Sequence, residues 1–158
     1  MTDSQLPPDW FLISGAPNTD VARSYEAGTT RDAASGKTVL YVRSRRPSPE
    51  GDAVLGRRLP ADRFRGSPVG LRASVRTESA GRAGLWVRVN GPDGALESDT
   101  MSDRAVTGTT DWTPYSVEVE VPLEAETVDV GVWLAGSGTV VVDGVVLEGA
   151  GSEPLEVY

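Results

Sequence analysis

Trp86, Arg88 and Asn90 fall two residues apart in the stretch Leu85–Asn90. In an extended strand, residues two apart share a face. A ring, a guanidinium and an amide on one face offer a stacking plane and directed hydrogen bonds. Trp133 repeats the pattern beside Asp129, Gly131 and Ala135. Its small neighbours leave room next to the indole. Two such faces could line one concave sheet and hold a sugar or a partly apolar metabolite. The competing explanation is packing under a loop, because Trp is mostly buried in any fold. Glu97, Asp99 and Met101 alternate just downstream. Across a hairpin they would join Trp86 and Arg88, with Asp99 opposite Arg88 as a charge pair.

Catalysis would have to draw on the same groups. The chain has no His and no Cys. That removes Ser-His-Asp and Cys-His chemistry and zinc sites built from those ligands. A general base must be a carboxylate or a water, so Asp99 and Tyr41 would be the acid, base or donor and Arg88 the electrophile. Glu97 and Tyr25 are further options. A stand-alone cyclase or isomerase could then shape a polyketide or polyene in a pocket between sheets, in bacterial specialised metabolism. No cofactor is expected.

These residues need strands to hold them. Val69, Leu71, Ala73 and Val75 alternate with Arg72, Ser74 and Arg76; Tyr115, Val117, Val119 and Val121 alternate with Ser116, Glu118 and Glu120. Val128, Val130, Val132 and Leu134 share a face, and 139–147 is Val-rich throughout. Period-two alternation of this kind marks half-buried strands. Further strands are expected at 10–14, 21–27, 37–44, 53–59, 84–90 and 95–101. Ala80-Gly81-Arg82 and Gly136-Ser137-Gly138 read as turns, and Gly91-Pro92-Asp93-Gly94 as a hairpin loop of the longer kind. One short helical turn is expected at 60–66. Nine or ten short strands imply an all-β, two-sheet antiparallel β-sandwich of jelly-roll type. Residues 9–148 would form it, between tails at 1–8 and 149–158.

Charge narrows the partners. The formal charge is −8, split into net +3 over residues 1–80 and net −11 over 81–158. The basic residues are scattered, apart from Arg43-Arg45-Arg46 and Arg57-Arg58. A nucleic-acid binder shows a basic stripe with interleaved aromatics, so no nucleic-acid partner is expected. No apolar run approaches the roughly 20 residues that span a bilayer, and no signal peptide opens the sequence. A cytoplasmic protein without a membrane partner is expected. Only Lys37 among the fifteen basic residues is a lysine, which fits a GC-rich bacterial coding bias. The blander alternative is a protein-interaction domain, with a homo-oligomer as one form of it.

The second half carries a resemblance. Gly84-Leu85-Trp86-Val87-Arg88-Val89, Gly91-Pro92-Asp93-Gly94, Gly108-Thr109-Thr110-Asp111-Trp112 with Tyr115, and Val140-Val141-Val142-Asp143-Gly144-Val145-Val146-Leu147 stand in order. This resembles the jelly-roll domains of carbohydrate-binding modules with a galactose-binding-like fold. It is most similar to a domain found in AraC-type bacterial transcriptional regulators, to which Ser35-Gly36-Lys37 and Tyr41-Val42-Arg43-Ser44 also correspond. The resemblance implies a jelly roll and a small-molecule ligand, with Trp112 and Tyr115 as structural residues. It also implies a structural calcium with Asp143 as its carboxylate, although one carboxylate falls short of the roughly six to eight oxygens calcium needs. No helix-turn-helix region is visible, so the domain is expected to stand alone.

Overall fold

The computed structural model describes residues 6–16, 18–149 and 153–158. Residues 1–5 of the expected N-terminal tail and 150–152 of the C-terminal one lie outside them. The chain runs β1 (Trp10–Ser14), α1 (Val21–Ser24), β2 (Tyr25–Arg31), β3 (Thr38–Ser44), β4 (Asp52–Pro60) and β5 (Ser67–Gly91). It continues through β6 (Gly94–Asp99), β7 (Val106–Val121), β8 (Thr127–Ala135), β9 (Thr139–Gly149) and β10 (Leu155–Glu156). All pairings among these strands are antiparallel.

β5 organises the sandwich. Its first half pairs with β9 and β7, and its second half with β8 and β6. One sheet is therefore β1-β4-β8-β5-β6 and the other β2-β3-β9-β5-β7. The strand passes between them where its register against β7 shifts three times, between Val75 and Ala83. Bulges bend a strand and raise its local twist, which lets one strand serve two sheets. Ser79 there has a positive φ of 49°. Thr77, fully buried, donates to the Gly108 carbonyl at 2.9 Å and bonds Thr110 Oγ1 at 2.8 Å. Ala80-Gly81-Arg82, expected as a turn, is thus the bend within a continuous strand.

The alternating apolar residues meet between the sheets. Val128, Val130, Val132 and Leu134 of β8 pack with Leu71, Val75 and Leu147 of the opposite layer, each at most 1% exposed. The space between the sheets is side-chain core, so the interlayer pocket imagined for a polyene is filled.

Four local expectations change. Asp20 caps a single helical turn, α1, by accepting from the Ala22 amide, so 21–27 splits into a helix and a strand. Residues 61–66 are turn, not helix. The Gly91–Gly94 connection is tight, with Pro92-Asp93 alone outside the ladder. The expected C-terminal tail contains β10, which pairs with Val146 and Leu147 of β9, and Val157 is buried. Among the described residues no helix is long and apolar enough to cross a membrane.

Candidate functional site

The outer face of the β1-β4-β8-β5-β6 sheet carries a cleft of about 1080 Å³. Register dictates what lines it, because residues paired across strands stand in rows. Asp52, Ala135 and Arg82 form the first row. Ile13, Val54, Trp133 and Gly84 form the second. Phe11, Gly56, Gly131 and Trp86 form the third. Arg58, Asp129, Arg88 and Ser98 form the fourth. Arg82 and Arg88 are six positions apart along β5, so the trough is about 20 Å long at roughly 3.4 Å per residue.

Glycine lets both indoles lie down. Trp86 reaches across β8 and donates from Nε1 to the Leu55 carbonyl at 3.1 Å. A Cβ on Gly56 would stand 2.5 Å from Trp86 Cζ2 and 2.7 Å from Phe11 Cζ. The third row therefore makes a floor, with Trp86 8% exposed and the Phe11 ring tilted 59° against it at 6.4 Å. Trp133 lies over Gly84, whose added Cβ would meet its Nε1 at 3.0 Å, and is half-buried. Ile13, 50% exposed, adds apolar surface at the β1 side.

The wall opposite β1 is the segment after β6. Thr100 and Ser102 line the cleft. The Thr100 carbonyl accepts from Trp133 Nε1 at 2.7 Å and the Ser102 carbonyl from Arg82 at 2.7 Å. Arg82 also stacks over Trp133, 5.6 Å from the ring centre. Met101, expected at the ligand face, instead turns into the core with a φ of 60°, and its sulfur accepts from the Leu85 amide at 3.3 Å. Asp99 accepts from the Met101 amide and from Arg104 at 2.8 Å. Burial pushes the Asp99 carboxyl up, but these hydrogen bonds and the Arg104 charge outweigh it and hold the group below its ordinary range.

A bulge explains why Asp99 and Glu97 leave the site. Asn90 pairs with Ala95, but Val89 pairs with Glu97, so β6 carries one extra residue there. One inserted residue reverses which face every following side chain takes. Asp99 opposes Val87 and Glu97 opposes Val89, while Ser98 opposes Arg88. Tyr41 is farther away still. It sits on the outer face of the other sheet, packed with Val39, Val141 and Trp112 and donating to Glu26 at 3.0 Å. Tyr25 donates to the Gly51 and Gly136 carbonyls. Asp143 is ion-paired with Lys37 at 3.6 Å, and among the described residues no group of three carboxylates could hold a metal ion.

The fourth row sets the polarity. Arg58 grips Asp129 with both ends of its guanidinium, at 2.8 and 3.0 Å. Asn90 adds a hydrogen bond to the same carboxylate at 2.9 Å and one to Thr127 at 3.1 Å. Asn90 thus braces Asp129 and does not line the cleft. Hydrogen bonding and charge from Asp129 raise the Arg58 pKa. Arg88 lines the cleft, is exposed, and has no hydrogen bond or ion pair among the described residues. Trp86, Arg88 and Trp133 thus share one cleft. Sequence reasoning missed Phe11, Arg58 and Arg82, although Gly56 inside an alternating strand was a signal of close approach.

Comparison with known proteins places this geometry. No family model matches the chain. Over 143 residues it is 34% identical to YbfP of Bacillus subtilis (strain 168), an uncharacterized HTH-type transcriptional regulator. That match takes in 88% of this chain and 47% of the relative, so the chain spans about half of the curated relative's length. An apo cyclase from Fischerella sp. superposes with a TM-score of 0.65 at 15% identity, over 94% of this chain and 86% of that one. The CBM22-1 xylan-binding domain of Paenibacillus barcinonensis Xyn10C gives 0.62 at 12%, over 96% and 92%. The chain has their jelly-roll fold. The Stig cyclase Fisc from Fischerella sp. TAU, in complex with (3Z)-3-(1-methyl-2-pyrrolidinylidene)-3H-indole, gives 0.61 at 20% identity, over 99% and 92%. Sugar-binding modules and cyclases both stand among its structural neighbours.

Proposed function

We propose that the chain is a small-molecule-binding jelly-roll module whose site is the cleft on the β1-β4-β8-β5-β6 sheet. The observation that carries this reading is the sharing of one trough by Trp86 and Trp133, with cations at its far end. Sites for small molecules are concave and largely apolar, with a few placed polar groups, and this trough has that make-up. Its length suits a short run of rings, either sugars or a flat, partly apolar metabolite. The likeness to a transcriptional regulator supports a sensing role, and assignment to the AraC-type class is part of the proposal.

The test is titration with xylohexaose, methyl β-D-glucuronide and indole-3-acetate, read by calorimetry. At least one should bind, roughly three- to tenfold more weakly to Trp133→Ala, given what an aromatic contact contributes. Trp133→Phe, which keeps a ring, should recover part of the loss. Binding unmoved by Trp133→Ala, or none from any of the three, overturns the assignment.

One feature favours catalysis as a second reading. Asp52 lines the cleft and its carboxylate has no hydrogen bond or ion pair among the described residues. Asp129 is occupied by Arg58 and Asn90, which leaves Asp52 as the carboxylate for proton transfer to a shaped substrate. A mass-neutral product from a linear polyene, lost in Asp52→Asn, would establish it.

A further inference from the structure

We infer that the ligand is a ring compound carrying a carboxylate, with the ring over Trp86 and the acid at Arg88; this rests on the binding reading above. Three guanidinium groups line the cleft. Arg58 is committed to Asp129, and Arg82 to the Ser102 carbonyl and the Trp133 face. Arg88 alone of the three has no partner among the described residues. A free guanidinium in a concave site is a ready fork for a carboxylate.

The surroundings leave that charge uncancelled. Asp129 shares its row but is neutralised by Arg58, so the row keeps a net positive charge. Asp52, the other carboxylate of the cleft, stands in the first row, about 20 Å away along the strands and beyond a screening length of roughly 10 Å. Glu97, on β6, opposes Val89 and so takes the other face of the sheet. Ser98, opposite Arg88, supplies a hydroxyl beside the guanidinium. Trp86 precedes Arg88 by two residues, a spacing of about 7 Å. A carboxylate oxygen lies about 4 Å from the centre of the six-membered ring that carries it, and a hydrogen bond of about 3 Å to the guanidinium completes that spacing. The apolar floor takes the ring, and the cation takes the acid.

Matched acid and neutral probes test this. Indole-3-acetate is compared with indole-3-acetamide, and methyl β-D-glucuronide with methyl β-D-glucoside, on the wild type, Arg88→Gln and Arg88→Lys. In at least one pair the acid should bind about tenfold tighter than its neutral partner, the value of one charged hydrogen bond. The preference should vanish in Arg88→Gln, return in part in Arg88→Lys, and shrink with added salt. A preference in one pair names an aromatic or a sugar acid as the source, and one in both names the carboxylate itself. Equal binding of acid and neutral partner, or a preference that survives Arg88→Gln, overturns the inference and leaves the binding cleft standing. Absence of binding by all four probes overturns the inference, and absence of xylohexaose binding as well overturns the cleft.

Discussion

Replacing Gly56 with Ala tests whether the cleft floor is built as described. The new methyl would stand 2.5 Å from Trp86 Cζ2 and 2.7 Å from Phe11 Cζ. Non-bonded carbons rest roughly 3.5–4.0 Å apart, so a ring must move by about 1 Å. Trp86 cannot move freely, because its Nε1 is tied to the Leu55 carbonyl. Overpacking of this kind costs about 1–3 kcal/mol. Against that, Ala restricts the unfolded chain and returns about 0.4–1 kcal/mol. The net expectation is a loss of about 1–2 kcal/mol, or about 2–8 °C in Tm for a domain of this size. Urea unfolding of Gly56→Ala in the wild type and in a Trp86→Leu background measures the coupling. The cost should fall by about 1 kcal/mol in the second background, the Phe11 contact keeping it above zero. Equal costs in both backgrounds would refute the proposed clash.

Other outcomes follow from the same contacts. Arg58→Ala should destabilise more than Asp129→Asn, by about 1–2 kcal/mol in urea unfolding, because it strands a carboxylate that is only 4% exposed, whereas the released Arg58 reaches water. Ending the chain at Pro154 should cost about 3 kcal/mol by the same assay, since it uncovers core around the buried Val157 and removes the carbonyl that Arg57 Nη1 binds at 2.8 Å. Acid should also destabilise the protein. Burial pushes Glu26 up, but hydrogen bonds from Arg43 and Tyr41 and the Arg43 and Arg45 charges outweigh it and lower its pKa. Asp99 is likewise lowered. A carboxyl depressed in the folded state stabilises above its unfolded pKa, near 4, and that stability is lost as pH falls through the folded value. Thermal melts should therefore drop below about pH 4, and less steeply for Glu26→Gln.

The sequence made the layers legible because long stretches of β5, β7 and β8 alternate apolar and other residues. Val128, Val130, Val132 and Leu134 could face nowhere but the core. The same parity put Trp86 and Arg88 on the opposite face. What was not legible came from features without a residue pattern. The bulge beside Leu96 turned Glu97 and Asp99 away from Arg88, and no propensity marks a single inserted residue. The bend in β5 carried the Gly residue of a turn but continued the ladder. Phe11 follows Trp10, and nothing local says which of two adjacent aromatics faces the core. The second cation of the fourth row, Arg58, becomes visible only when β4 and β8 are set in register.

The four tryptophans supply the most direct test of the cleft. Trp86 and Trp133 line it, Trp10 packs edge-on against Tyr158, and Trp112 lies on the other sheet beneath Arg76. Indole N–H resonances followed by NMR during titration with indole-3-acetate and methyl β-D-glucuronide report on all four at once. Shifts are expected at Trp86 and Trp133, with Trp10 and Trp112 unmoved. Shifts confined to Trp10 or Trp112, or a spectrum that neither probe changes, would contradict the cleft assignment.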